Sequence, residues 1–246
     1  MHLVNAHGER LDATLHPGRP DEPRIVVIGH GVTSHKDRPW LIALAEAVAD
    51  AGIPALRFSF TDNGSSQGSF ADATIRKEVD DPGSVLDALA GRAVVYAGHS
   101  MGAAVGVLRA ARDPRIRGLV SLAGRVHVRR FVDAQFGALR PGDAMFGKAR
   151  CPLSAEFLRD ARALGDVRGA AAEVAVPWLL VHGTADELVP LQDAHAAARA
   201  CPRRAQVVEL AGADHRFTGH EAAMADAVVA WLRGSDLGPA VHDGGL

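Results

Sequence analysis

Cysteine is nearly absent: Cys151 and Cys201 are the only two in 246 residues, and they have neither metal-ligand spacing nor the pattern of a disulfide framework. A disulfide-stapled secreted scaffold is excluded, and a reduced, cytoplasmic compartment is expected. No charge sign dominates either. Twenty-seven Lys and Arg face 29 Asp and Glu, a formal charge of −2, with no long block of like charge. This argues against a nucleic-acid tail or a basic membrane patch. No apolar run reaches the roughly 18 residues that span a bilayer, and Met1–Glu9 has no basic region leading into an apolar core. A soluble, unexported protein is expected. No repeat of solenoid period occurs, and no His-x-x-x-His pair is joined by a third plausible ligand, so no metal is expected.

What is present is a regular alternation of strand and helix signals over a length suited to one large α/β domain. Residues 1–22 read as a short hairpin, His2–Val4 against Leu11–Leu15, placed at a sheet edge. Arg24–Gly29 is a continuous apolar run, as expected of a strand covered on both faces. A helix over Pro39–Ala51, a strand over Ile53–Phe60 and a turn-rich loop at 61–68 follow. Ala71–Leu89 is helical, with a break or restart at Asp80-Asp81-Pro82, where Asp81 is suited to cap and Pro82 to open a helix. Strands at Ile116–Leu122, Val176–His182 and Gln206–Leu210 and helices at Leu191–Ala200 and Glu221–Leu232 complete the pattern. The periodicity lapses over about 124–172, read as a small inserted cap, and the tail from 234 to 246 is expected to be mobile. The expected architecture is a mostly parallel, doubly wound sheet.

The chain is organised around Val94-Val95-Tyr96-Ala97-Gly98-His99-Ser100-Met101-Gly102. A β-branched and aromatic run ends in Gly-His-Ser-Met-Gly and passes into an Ala-rich helical stretch. Glycines on both sides of Ser100 suit a strained strand-to-helix turn with close packing behind it, the nucleophile elbow. A serine hydroxyl needs a base within hydrogen-bond reach and a carboxylate to orient that base. In a doubly wound sheet both belong at the carboxyl ends of later strands. Asp186 follows Trp178–Gly183, and His215 follows the last strand, in the order Ser100, Asp186, His215 with gaps of 86 and 29 residues.

Glu187 is the rival acid, with a longer side chain starting from a position turned away. Asp214 suits a turn-stabilising role, His182 a structural hydrogen bond, and His30 and His99 the organisation of their loops. The oxyanion hole calls for two N–H donors, assigned to the backbone of Met101 and of Val32 in the loop after Ile25–Gly29. Four of the eight phenylalanines, Phe131, Phe136, Phe146 and Phe157, fall in the insertion. They serve either as its own apolar contacts or as the lining of a substrate pocket.

Gly29-His30-Gly31-Val32-Thr33-Ser34, Arg57-Phe58-Ser59-Phe60 with Gly64-x-Ser66-x-Gly68, Gly98-His99-Ser100-Met101-Gly102, His182-Gly183-Thr184-Ala185-Asp186 and Gly212-Ala213-Asp214-His215 together resemble the α/β-hydrolase superfamily, over roughly residues 24–233. Within it the chain is most similar to the compact bacterial serine esterases that include the cinnamoyl (feruloyl) esterases. That resemblance implies hydrolysis of a carboxylic ester through an acyl-enzyme, without a cofactor. Two positions depart from the branch: Met101 where many members carry Gln, and Thr61-Asp62-Asn63-Gly64-Ser65 where a Gly-His-Gly loop is usual. The expected partner is a small-molecule ester, with neither nucleic acid nor membrane, and a homodimer is compatible with the sequence. The alternatives are a thioesterase or peptidase of the same fold, or a binding protein that keeps the fold without turnover.

Overall fold

The computed structural model describes residues 3–201 and 203–238. The N-terminal strand is interrupted at Asp12. Leu3–Val4 (β1) and Arg10–Leu11 (β2) form a separate two-stranded antiparallel pair, while Ala13–His16 (β3) runs antiparallel to the edge of the main sheet. That sheet continues with Arg24–Gly29 (β4), Ala55–Phe58 (β5), Ala93–His99 (β6), Ile116–Leu122 (β7), Trp178–Gly183 (β8) and Ala205–Leu210 (β9), in spatial order β3-β5-β4-β6-β7-β8-β9. All pairings except β3·β5 are parallel.

Parallel strands with apolar side chains on both sides need a helical layer on each face. Val26, Ile28, Val95, Val120 and Val181 pack against Pro39–Asp50 (α1) and Glu221–Gly234 (α8), through Leu41, Leu44, Met224 and Val228. The alternate residues, among them Ile25, Val27, Tyr96, Leu119 and Trp178, face the core shared with Ile75–Ala88 (α2), Met101–Ala110 (α3) and Leu191–Ala200 (α7). Between β7 and β8 the chain leaves the sheet and forms Val128–Phe136 (α4), Ala155–Leu164 (α5) and Arg168–Glu173 (α6). Among the described residues no helix is long and apolar enough to cross a membrane.

After β4 the chain steps outward to β5 and then returns to place β6 on the other side of β4. The carboxyl ends of β4 and β6 are therefore neighbours at a topological switch point, in register at Gly29 and Gly98, with their loops diverging from a common crevice.

Two expectations are corrected. The helix does not restart at Pro82: α2 runs through it from Ile75 to Ala88, opened instead by Thr74, whose side chain accepts from Lys77 N–H. Asp81 is unavailable as a cap because its carboxylate accepts from Thr61 N–H and Oγ1 at 2.7 Å each and from Asn5 Nδ2 at 3.3 Å. The segment after residue 234 is packed as far as it is described: Leu237 is 5% exposed and its carbonyl accepts from Arg117 Nε at 3.2 Å. Residues 239–246 of the expected mobile tail lie outside the described residues.

One buried group in α2 makes stability depend on pH. Burial, reinforced by the neighbouring carboxylates of Asp81, Asp62 and Asp160, pushes Glu78 up to about 8. The folded chain thus keeps a proton that the unfolded chain releases near the ordinary value of 4.5. Stability from this residue is lost as pH rises between those values, by roughly 3 kcal/mol at pH 7. Glu78→Gln is expected to raise the melting temperature at pH 7.5 and leave it nearly unchanged at pH 4.5. Equal shifts at both pH values in thermal denaturation would count against a buried neutral carboxyl.

Candidate active site

Strand β6 ends at His99, and the chain reverses into α3 through Ser100, whose φ of 56° and ψ of −115° lie where side-chain-bearing residues are strained. The turn is that tight because the backbone behind it has no room for side chains. A Cβ on Gly98 would lie 2.2 Å from the Gly102 carbonyl oxygen, and one on Gly102 would lie 2.3 Å from that of His30. Gly102→Ala is expected to destabilise by about 1–3 kcal/mol, lowering the melting temperature by roughly 2–10 °C. Calorimetry of that variant checks the packing, and an unchanged melting temperature would refute it.

Asp186 and His215 are brought together from the ends of β8 and β9. The fully buried Asp186 carboxylate accepts from His215 Nδ1 at 2.8 Å through Oδ2, and from Leu188 and Val189 N–H at 2.9 and 2.8 Å through Oδ1. His182 Nε2 lies 3.3 Å from Oδ2 while it donates to the Val189 carbonyl at 2.9 Å. Burial would push this acid up, but the hydrogen bonds from His182 and His215 outweigh it and hold Asp186 well below the ordinary carboxylate range. Glu187 is exposed, and Asp214 accepts from the N–H groups of Arg216 and Thr218, closing its own turn.

The two organising histidines are both neutral. His99 donates from Nε2 to the His215 carbonyl at 2.8 Å, and burial together with the nearby His215 holds it well below its ordinary range. It therefore supports the backbone of His215 as well as the elbow. His30 is lowered to about 3 by burial; its Nε2 accepts from Phe60 N–H at 3.0 Å, which leaves Nδ1 as the donor to the Gly31 carbonyl at 2.8 Å. The loop after β4 is thereby locked beside the elbow.

Ser100, His215 and Val32 line one cavity of about 250 Å³ at the carboxyl ends of the strands. Among the described residues no hydrogen bond joins Ser100 to His215. Ser100 Oγ instead accepts from Arg125 Nη2 at 3.4 Å. Met101 opens α3, where an N–H has no intrahelical acceptor, and neither its N–H nor that of Val32 donates a hydrogen bond among the described residues. A larger cleft of about 500 Å³ lies at the opposite, amino ends of β7 and β8, between Ala110 and Gly238. Its Asp113 is already held by Arg109 and Arg115.

Solved structures match the fold over nearly the whole chain. Est1E from Butyrivibrio proteoclasticus with ferulic acid bound is 24% identical, the match covering 95% of this chain and 98% of that one at a TM-score of 0.85. The chain has the α/β-hydrolase fold. An esterase domain from a Rhodothermus marinus protein, 22% identical over 95% and 96% of the two chains, reaches a TM-score of 0.74. Alpha/beta hydrolase domain-containing protein 10 from mouse, 22% identical over 95% and 96%, reaches 0.73. A family model described as TAP-like protein matches residues 159–240, which include Asp186 and His215. No curated protein matches the sequence.

The four phenylalanines of the stretch between β7 and β8 divide their work. Phe131 and Phe146 line the cavity. Phe136 does not: it is fully buried with ring centroids 5.6, 5.0 and 6.4 Å from Phe131, Phe146 and Phe157, at the centre of an aromatic cluster. Phe157, also outside the lining, belongs to that cluster. The expected pocket role thus fails for Phe136 and Phe157, whose rings are consumed by packing.

Sequence reasoning passed over Arg125, Arg38, Trp40 and Lys148, which line the same cavity. Arg125 had a usable signal, since it lies three residues past β7, on the side where open parallel sheets bind their ligands. Its N–H donates to the Ser100 carbonyl at 3.2 Å. Asp193 on α7 fixes the next residues, accepting from Val126 N–H at 2.7 Å, His127 N–H at 3.1 Å and His127 Nδ1 at 2.8 Å.

Proposed function

We propose that the chain is a serine hydrolase cleaving small to medium carboxylic esters through an acyl-enzyme. The observation that carries this reading is a serine held at positive φ on a glycine-flanked elbow, in one cavity with a histidine whose Nδ1 is hydrogen-bonded to a buried carboxylate. The esterase names of structural neighbours support the same class.

Ser100 Oγ turns from Arg125 toward His215 and attacks the ester carbonyl as Nε2 takes its proton. Asp186, ionised throughout, holds Nδ1–H and stabilises the imidazolium. The negative oxygen of the tetrahedral intermediate is received by the N–H groups of Val32 and Met101, the second at the positive end of α3. The C–O bond to the alcohol breaks, and the leaving oxygen takes the proton from Nε2. Water then attacks the acyl-Ser100 ester by the same route, giving the free acid and restoring Ser100.

The test is intact-mass analysis after exposure to a fluorophosphonate, on the native chain and on Ser100→Ala. One adduct on the native chain alone is expected. No adduct on either, or an adduct on both, would overturn the reading.

A further inference from the structure

The cavity contains an unusual excess of one charge. Arg38, Arg125, Lys148 and Arg216 line it, and among the described residues no Asp or Glu does. Among the described residues none of these four cations meets a carboxylate within 4 Å. The carboxylates acting on Arg125 from a distance, Asp193 and Asp186, already hold His127 and His215.

Arg125 is the deepest of the four. It is 3% exposed, its guanidinium carbon stacks 3.1 Å from the centre of the Phe131 ring, and its Nη2 reaches Ser100 Oγ. Its Nε has no partner, one of six such buried side-chain atoms among the described residues. Trp40 Nε1 and His99 Nδ1, on the same cavity wall, are two of the others. A buried guanidinium without a carboxylate is expensive to maintain, and burial lowers Arg125 to about 9. At the mouth the cations also repel one another: burial and then Arg216 lower Arg38, and burial and then Arg38 lower Lys148. Lys148 Nζ is pinned there by the Thr33 carbonyl and hydroxyl at 2.7 and 3.0 Å. The Phe131 stack and the Thr33 bonds offset only part of that cost, and an anion entering the cavity would offset more.

We infer that this cavity takes an ester carrying a carboxylate, attracted by Arg38, Lys148 and Arg216 and bound within by the guanidinium of Arg125 beside Ser100. The inference rests on the serine-hydrolase reading for the word ester; the anion site stands on the cations alone. The carboxylate belongs either to the acyl part or to the alcohol part, and the experiment distinguishes them.

Two measurements test it on the full chain. The first is calorimetric binding of N-butylsuccinamate against its neutral analogue, N-butylsuccindiamide, both lacking an ester. At least tenfold tighter binding of the anion at 20 mM NaCl is expected, shrinking at 0.5 M NaCl. The second compares kcat/KM within two ester pairs: 4-nitrophenyl hydrogen adipate against 4-nitrophenyl hexanoate, and 4-carboxyphenyl butyrate against 4-carbamoylphenyl butyrate. At least a tenfold advantage for the anion in the first pair places the charge in the acyl part, and in the second in the alcohol part. Arg125→Met should abolish the preference in both measurements. Arg216→Ala, at an exposed position with no folding risk, should reduce it severalfold. Equal or better binding and turnover of the neutral members would overturn the inference even where Ser100 is labelled by fluorophosphonate. Tighter anion binding without turnover of any ester would leave the anion site and remove the hydrolase reading.

Discussion

Ser100→Ala is expected to lower kcat for a neutral 4-nitrophenyl ester by on the order of 10⁶, with the fold intact. Loss of an activated serine removes the covalent route altogether and leaves only residual acceleration from binding and the oxyanion donors. The substitution deletes one oxygen whose sole hydrogen bond among the described residues is the 3.4 Å one from Arg125. The strained φ of 56° is as unfavourable for alanine as for serine. The melting temperature should therefore move by only about 2 °C. A variant that keeps a tenth of native turnover, after contaminating esterase is excluded by active-site titration, would show that Ser100 is not the nucleophile.

Asp186→Asn should cost on the order of 10⁴ in kcat, as the corresponding change does in the best-studied serine triad. Here the reason is visible atom by atom. One carboxylate oxygen accepts from Leu188 and Val189 N–H, so an amide oxygen must take that place and the amide NH₂ must face His215. His215 Nδ1 then becomes the acceptor, the proton moves to Nε2, and the lone pair that should receive the Ser100 proton is gone. The same NH₂ meets His182 Nε2, which already donates to the Val189 carbonyl and offers it no acceptor. Loss of turnover should thus come with loss of stability, read as kcat and melting temperature on one preparation. Native turnover in this variant would remove Asp186 from the proposed triad.

Both variants concern residues legible in the sequence, and the reason is local. Gly98, Ser100 and Gly102 sit within one turn, and the glycines are demanded by backbone atoms a few residues away or on the adjoining strand end. Asp186 and His215 stand out by following strand ends, because in a parallel sheet every strand delivers its carboxyl end to the same side. What escaped depends on partners distant in sequence. Asp81 reads as a cap since Asp before Pro is a local signal, but Thr61 and Asn5, 20 and 76 residues away, claim its carboxylate. Leu237 falls in the stretch expected to be mobile; its burial comes from the start of β7, where Arg117 holds its carbonyl. Phe136 and Phe157 could not be told from Phe131 and Phe146 by composition, since only the packing decides which rings face inward.

The stretch between β7 and β8 is bonded to the rest of the chain at its root and, further out, through Asp160, which accepts from Arg76 N–H, and Lys148, which donates to Thr33. Asp193 grips Val126 and His127 from α7, Val167 N–H returns to the Val126 carbonyl at 3.1 Å, and Arg129 N–H reaches the Gly165 carbonyl at 2.7 Å. Its two ends thus meet at one clasp, while its aromatic cluster is assembled from its own residues. Arg125 is where this stretch and the elbow meet: its N–H is on the Ser100 carbonyl while its guanidinium lies over Phe131, so a change in the aromatic cluster reaches Ser100 through one residue.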